Sequence, residues 1–333
     1  MVLKKLKKFR KAKFLLLLSF FIMPFPALAY SNYLIPGGEN IGIQIQSKGI
    51  IIVGTYEING TNSADASGLK AGDRIFKING KNVATIDEMA SEISRIGSTS
   101  IDVSYLRDGK QKTTSLTIFK DENGVYKTGL YVKDSITGIG TLSFIDPETK
   151  IFGALGHEIL ERSTGQMLEV KEGRIFDTNV TTIDRSERGT PGSKNAELEY
   201  DDVKGNIKEN TKSGIFGTYT EELPNKKTYK VASPSEVKTG EAKMLTVVKN
   251  KEVKEYSINI LKVSQNDPEN KNILFEITDE ELLNTTGGVV QGMSGSSIIQ
   301  GDYIVGAVTH VVIDNPKRGF GILITKMLEE AEN

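Results

Sequence analysis

Ser294 stands in the stretch Val289-Val290-Gln291-Gly292-Met293-Ser294-Gly295-Ser296-Ser297-Ile298-Ile299, between glycines and with β-branched residues on both sides. A serine hydroxyl is a poor nucleophile unless it is held beside a base that takes its proton. Glycines allow the tight turn this needs, because they accept backbone angles that other residues resist. They also let backbone N–H groups converge on one point, as an oxyanion hole requires. A histidine base for this serine must be one of two, since the chain contains only His157 and His310. His157 follows Gly156 in Phe152-Gly153-Ala154-Leu155-Gly156-His157-Glu158-Ile159. His310 lies in Val305-Gly306-Ala307-Val308-Thr309-His310-Val311-Val312-Ile313, a strong strand pattern, where it is a second candidate base and a candidate cleft residue. Read from the residues alone, either ring could equally be a packed or turn histidine.

Other chemistries are removed by what the chain lacks. It has no Cys, which excludes disulfides, thiol catalysis and thiolate metal sites. No HExxH zinc helix is possible with these two histidines, and no metal or cofactor is expected. Gly292-Met293-Ser294-Gly295-Ser296 is not GxSxG, so the nucleophile elbow of α/β-hydrolases does not apply. Ser235-Glu236-Val237-Lys238 is a lone SxxK in a polar stretch, a pattern expected by chance. With 42 Lys and Arg against 43 Asp and Glu, no basic footprint points to nucleic acid.

The elements that must position these residues are mostly strands. The 33 glycines and abundant Val, Ile and Thr favour strands and turns, and 333 residues suggest about two domains. Residues 1–29 read as a signal peptide or membrane anchor: Lys4 to Lys13 is basic, Phe14 to Met23 apolar, and Ala27-Leu28-Ala29 a small-x-small cleavage site. The apolar run is short for a span of ~20 residues, so cleavage and export are expected. Residues 34–119 form the next unit, with strands at Ile41–Ile45 and Gly49–Val53. Asn79-Gly80 is a tight hairpin turn. Thr85-Ile86-Asp87-Glu88 is a capping box opening a helix with Ile86, Met89, Ala90, Ile93 and Ile96 on one face. Strands at Ile101–Tyr105 and Thr113–Ile118 flank the turn Arg107-Asp108-Gly109.

This unit resembles a PDZ domain, through Gly68-Leu69-Lys70-Ala71-Gly72-Asp73 and Ile78-Asn79-Gly80-Lys81. The resemblance implies a peptide-binding loop formed by Gly37, Gly38, Ile41, Gly42 and Ile43, with a peptide ligand adding a strand to the sheet edge.

Residues 125–333 stay β-rich. Gly129 to Phe144 reads as two strands about a glycine-containing bend, and the polar region from Asp184 to Lys212 as long loops. Strand-like alternation resumes at 214–219, 243–248 and 254–262, and a short helix begins near Thr325. No internal repeat is visible. Ser-Gly-Ser after a strand suits the turn of trypsin-like double β-barrels, where the N–H groups of Gly292 and Ser294 would form the oxyanion hole.

Gly153-Ala154-Leu155-Gly156-His157-Glu158-Ile159, Val290-Gln291-Gly292-Met293-Ser294-Gly295-Ser296 and Gly306-Ala307-Val308-Thr309-His310-Val311 together resemble the SpoIVB family of sporulation serine peptidases. Asp134 to Thr141 and Arg318-Gly319-Phe320-Gly321-Ile322 fit the same pattern, and the family's usual Pro after the second Ser is Ser297 here. The resemblance implies a mainly β chain, a PDZ domain (α+β, a small β-barrel) followed by a trypsin-like double β-barrel peptidase. It implies Ser294 as nucleophile, His157 as general base and Asp279 as the acid, with Asp134 and Asp146 as alternative acids. By their position after the serine, Thr309 and His310 are candidates to line the substrate cleft. It further implies action between the two sporulation membranes on membrane-embedded regulators, leading to sigma-factor activation, and possible self-cleavage. The rival reading is a non-catalytic PDZ scaffold with a degenerate peptidase domain.

Overall fold

The computed structural model describes residues 30–331. The expected export signal lies outside the described residues, among which no helix is long and apolar enough to cross a membrane.

Twelve strands form two closed barrels. The first contains β1 (Asn40–Thr55), β2 (Leu130–Ile145), β3 (Ile151–Ala154), β4 (Val170–Asp184), β5 (Ser193–Thr211) and β6 (Gly214–Tyr219). They pair in the ring β1–β2–β3–β6–β5–β4–β1, every pair antiparallel. The second contains β7 (Gly240–Val247), β8 (Val253–Val263), β9 (Ile273–Ile277), β10 (Ser297–Gln300), β11 (Tyr303–Val311) and β12 (Arg318–Leu323). Its ring, β7–β8–β9–β12–β11–β10–β7, repeats the first strand order. The chain therefore has a structural repeat that its residues do not display. Closure leaves neither barrel an open edge, and realises the double barrel expected of the serine turn.

Each barrel has its own apolar interior: Ile43, Phe152, Ile175 and Ile215 fill the first, Met244, Tyr256, Phe275 and Ile298 the second. A third cluster knits them, with Phe144 and Phe216 of the first barrel against Leu245, Ile299 and Ile322 of the second. The C-terminal helix (Ile324–Ala331) adds Ile324, Met327 and Leu328 to it. Full burial of such side chains stabilises by about 1.5–3 kcal/mol each, so this cluster holds the two barrels together. The strand Tyr33–Pro36 also spans the seam, pairing with Lys230 and Tyr229 at one end and with Ile145 and Phe144 at the other.

The PDZ-like module is inserted between β1 and β2. Its core of Ile50, Ile52, Leu69, Ile75, Ile78, Met89, Ile93, Val103 and Leu116 is separate from both barrels. Asn79 and Gly80 form the hairpin turn at φ 46° and 79°. Thr85 caps the helix Ile86–Ile96, accepting from Glu88 N at 3.1 Å, while Glu88 accepts from Ala84 N. The expected break between strands at Ile45 and Gly49 is instead one strand, β1, whose first half builds the barrel and whose second half builds the module. Gly49 (φ 111°) makes that passage, and a Cβ there would meet Ile75 O at 2.8 Å. Likewise Gly129 to Phe144 is no bent pair: β2 is continuous, pairing at Leu130–Lys133 with the module half of β1 and at Ser135–Thr141 with its barrel half. The polar 184–212 region is mostly β5, a 19-residue strand rather than loops. Ladder hydrogen bonds to β4 hold it whatever its side chains are, and its faces, mostly half-buried or exposed, account for its polar composition.

Candidate active site

The Ser294 turn is built by glycines on either side, Gly292 at φ 94° and Gly295 at φ 98°. A Cβ on Gly295 would lie 1.9 Å from Thr141 O, so only glycine closes this turn. Both barrels tie it down. Thr141 of β2 donates from its N–H to Ser294 O at 2.9 Å and from Oγ1 to Gly292 O at 2.7 Å. From the other side Gly295 N donates to Val308 O at 2.7 Å. The N–H groups of Met293, Gly295 and Ser296 are thereby all used, whereas among the described residues those of Gly292 and Ser294 donate to no acceptor. Gly292 and Ser294 thus keep free N–H groups on one glycine turn, which is what the expected oxyanion hole requires.

His157 follows β3 of the first barrel, half-buried beside Leu155, whose φ of 71° is rare for a branched residue. Its Nδ1 lies 2.8 Å from Glu158 O. A carbonyl can only accept, so Nδ1 carries the proton and Nε2 presents a lone pair. A backbone carbonyl thus sets the tautomer that a base requires. The His157 and His310 rings lie 5.2 Å apart, inclined at 40°. Loss of water around His310, reinforced by His157, pushes its pKa down to about 4. A base that weak holds a proton poorly at neutral pH, which favours His157 for the transfer. Ser294 Oγ donates to Thr309 O at 2.7 Å.

Ser294, Gly292, His157 and His310 open into one cleft of about 660 Å³ between the barrels, walled by aliphatic side chains that include Ile43, Ile136, Ile139 and Ile159. A larger groove of about 910 Å³, between the module helix and β4, contains none of these groups.

The expected acid does not join them. Asp279 caps the helix Glu280–Thr286, its carboxylate accepting from Leu282 N at 3.0 Å and Ser257 N at 3.3 Å. Asp134 accepts from Ile86 N at 2.8 Å, and Asp146 from both the N–H and the hydroxyl of Ser31. Among the described residues no carboxylate is hydrogen-bonded to His157. A cap is a local device that any Asp before Glu-Glu-Leu-Leu can provide, whereas an orienting acid needs a long-range approach. Asn caps a helix as well as Asp does. Asp279→Asn is therefore expected to keep peptidase activity within about twofold, and Asp279→Ala to lose about 1 kcal/mol in denaturant unfolding. A loss of activity in Asp279→Asn with stability intact would restore the acid role.

The expected peptide-binding loop is also placed elsewhere. Gly37 N and Gly38 N donate to Ser143 O and Leu142 O at 2.9 and 2.8 Å, so neither is available to a carboxylate. Ile41 and Ile43 are buried in the first barrel, and Gly42 faces the Phe176 ring. These residues belong to the peptidase barrel because β1 pairs with β4 there. Thr141 was not singled out from the residues: a threonine on a strand has no local mark of a role 153 positions away in the chain, at Ser294.

Comparisons with known proteins bear on the family of the chain. The model of the family described as SpoIVB peptidase S55 matches residues 124–328, and that of the PDZ domain residues 40–118. The chain is similar to the zinc metalloprotease RasP of Shouchella clausii, 29% identical over 135 residues, covering 39% of this chain and 28% of that protein. It is also similar to the putative zinc metalloprotease LL2128 of Lactococcus lactis, 34% identical over 107 residues, covering 30% and 24%. The chain thus spans about a quarter of the length of these curated relatives. Among solved structures, the Rv3671c protease of M. tuberculosis in its active form matches at TM-score 0.33 and 16% identity, covering 59% of this chain and 74% of that one. The PDZ domain of the SdrC-like protein of Listeria monocytogenes matches at TM-score 0.23 and 19% identity, covering 27% and 93%. At such scores a shared fold cannot be read from them, and the two barrels stand on their own strand pairing. With more than half of its length matched by that family's model, the chain belongs to the SpoIVB peptidase S55 family and is a serine peptidase carrying a PDZ domain.

Proposed function

We propose that this peptidase is exported and cleaves extracytoplasmic segments of membrane regulators in sporulation signalling, in the space between the two membranes, and that it can cleave itself. The observation that carries the catalytic part is the Ser294 turn, with two free N–H groups opening on the His157 cleft. Ser294 Oγ turns from Thr309 O toward His157 Nε2, gives up its proton and attacks the peptide carbonyl. The N–H groups of Gly292 and Ser294 hold the oxyanion. The imidazolium returns the proton to the leaving amine, and water, activated by the same ring, releases the acyl group. Once the serine has turned, the Thr309 carbonyl at the end of β11 is free to accept from a substrate N–H. The aliphatic walls of the cleft suit apolar substrate side chains. A peptide ligand of the PDZ module would add to a sheet edge. The basic and apolar start of the chain supports export.

The test is a Ser294→Ala allele in the organism of origin. Vegetative growth is expected to be normal, while during sporulation the membrane regulator stays uncleaved and the dependent sigma factor stays immature, both followed by immunoblot. Normal processing of both would overturn the signalling role.

A further inference from the structure

Lys194, near the start of β5, is only 3% exposed, yet among the described residues no carboxylate pairs with it. Buried lysines without a counter-charge are costly and uncommon. Its stem lies directly under the oxyanion loop: a Cβ on Gly292 would sit 3.1–3.3 Å from Lys194 Cδ, Cβ and Cγ. Its main chain holds the same loop, with Lys194 N donating to Gln291 O at 2.9 Å. Lys194 Nζ donates to Thr246 Oγ1 of β7 at 3.0 Å and to Asn40 Oδ1 of β1 at 3.4 Å, and so bridges the two barrels. Thr246 Oγ1 also accepts from Ser296, two residues beyond the nucleophile, at 3.0 Å. Asn40 is fixed in turn by Thr178 of β4, at 2.8 Å.

We propose that Lys194 is a positioning residue of this peptidase: its stem supports Gly292, and its buried ammonium group, held between the barrels, favours anion binding by the Ser294 turn. The inference rests on the serine peptidase reading of that turn. The groups facing Nζ are Asn40 from β1, Thr178 through Asn40 from β4, Thr246 from β7 and Ser296 from the serine turn, and none of them titrates near neutral pH. Glu39, beside Asn40, is paired with Lys226. Burial without a partner pushes the Lys194 pKa down to about 7. Below that pH a positive charge lies under the turn, in surroundings of low dielectric where it acts strongly on an oxyanion. Above it the charge is gone. Loss of that charge above about 7 gives the rate profile a falling alkaline limb. The sign for stability follows from the same pKa. Folded Lys194 binds its proton less tightly than the unfolded chain does, so its cost is full below about 7 and fades as pH rises toward 10.5.

The experiment labels the full chain with a fluorophosphonate, whose phosphoryl oxygen occupies the oxyanion hole when Ser294 attacks it. Rates are compared across pH 5.5–9 for wild type, Lys194→Met, Thr246→Val and Ser294→Ala, with melting temperatures at each pH. Lys194→Met is expected to label about 10- to 100-fold more slowly at pH 6.5 and to lose the falling alkaline limb. Its melting temperature relative to wild type should be most favourable at low pH. Thr246→Val removes an acceptor for the ammonium group and is expected to move the alkaline limb to lower pH, which serves should Lys194→Met not fold. A wild-type rate and profile in both variants would overturn the inference while leaving the peptidase reading in place. No labelling of wild type would overturn both.

Discussion

Ser294→Ala, assayed beside wild type, is expected to lose peptide hydrolysis by about 10³- to 10⁶-fold while keeping its fold. The loss is large because the substitution removes the covalent route itself, and the oxyanion donors that remain give only a small residual acceleration. The fold should persist because Ser294 Oγ makes a single hydrogen bond, to Thr309 O, whose net contribution is about 1 kcal/mol. The turn is held by main-chain groups that alanine keeps: Thr141 N to Ser294 O, and Gly295 N to Val308 O. Self-cleavage and cleavage of an apolar-rich peptide library, with a melting curve on each sample, measure the two halves of the expectation. Equal turnover by both proteins would sink the serine mechanism and favour a scaffold role for the chain.

Legibility in the residues tracks the range of the interaction. The Asn79-Gly80 turn, the Thr85 capping box and the apolar face of the following helix are local, and each stands where its residues predict. The serine turn is local too, since Gly292 and Gly295 announce the positive φ angles that they adopt. What needed the fold is non-local. Ring closure depends on pairs such as β6 with β3 and β10 with β7, which no short pattern encodes. β5 buries only a few of its residues and its ladder to β4 is interrupted by bulges, so regular apolar alternation is absent. The module cannot be cut from the barrel at one residue, because β1 and β2 belong to both. β2 in particular runs from Leu130 in the module core to Thr141, which is hydrogen-bonded to Ser294, along one continuous strand. The orienter of His157 was invisible for a different reason: it is the Glu158 carbonyl, which every residue possesses.

That carbonyl bears on the remaining large effect. His157→Gln is expected to lower turnover by about 10³- to 10⁴-fold, and His310→Gln by less than about tenfold. Both rings open into the same cleft, so position alone does not separate them. Two physical differences do. His157 has its Nδ1 proton committed to Glu158 O at 2.8 Å, which leaves Nε2 as the acceptor for the serine proton. His310 has no such bond among the described residues, and its basicity is depressed to about 4, so at pH 7 it takes a proton with little driving force. Its expected part is to wall the cleft and to limit water around His157, and glutamine preserves much of that bulk. The pH dependence supplies a second check. His310 stays neutral down to about pH 4, so His310→Gln is expected to leave the shape of the rate profile above pH 5 unchanged. Rates for both variants over pH 5–9 therefore distinguish the two. A collapse of turnover in His310→Gln, with His157→Gln still active, would reverse the assignment.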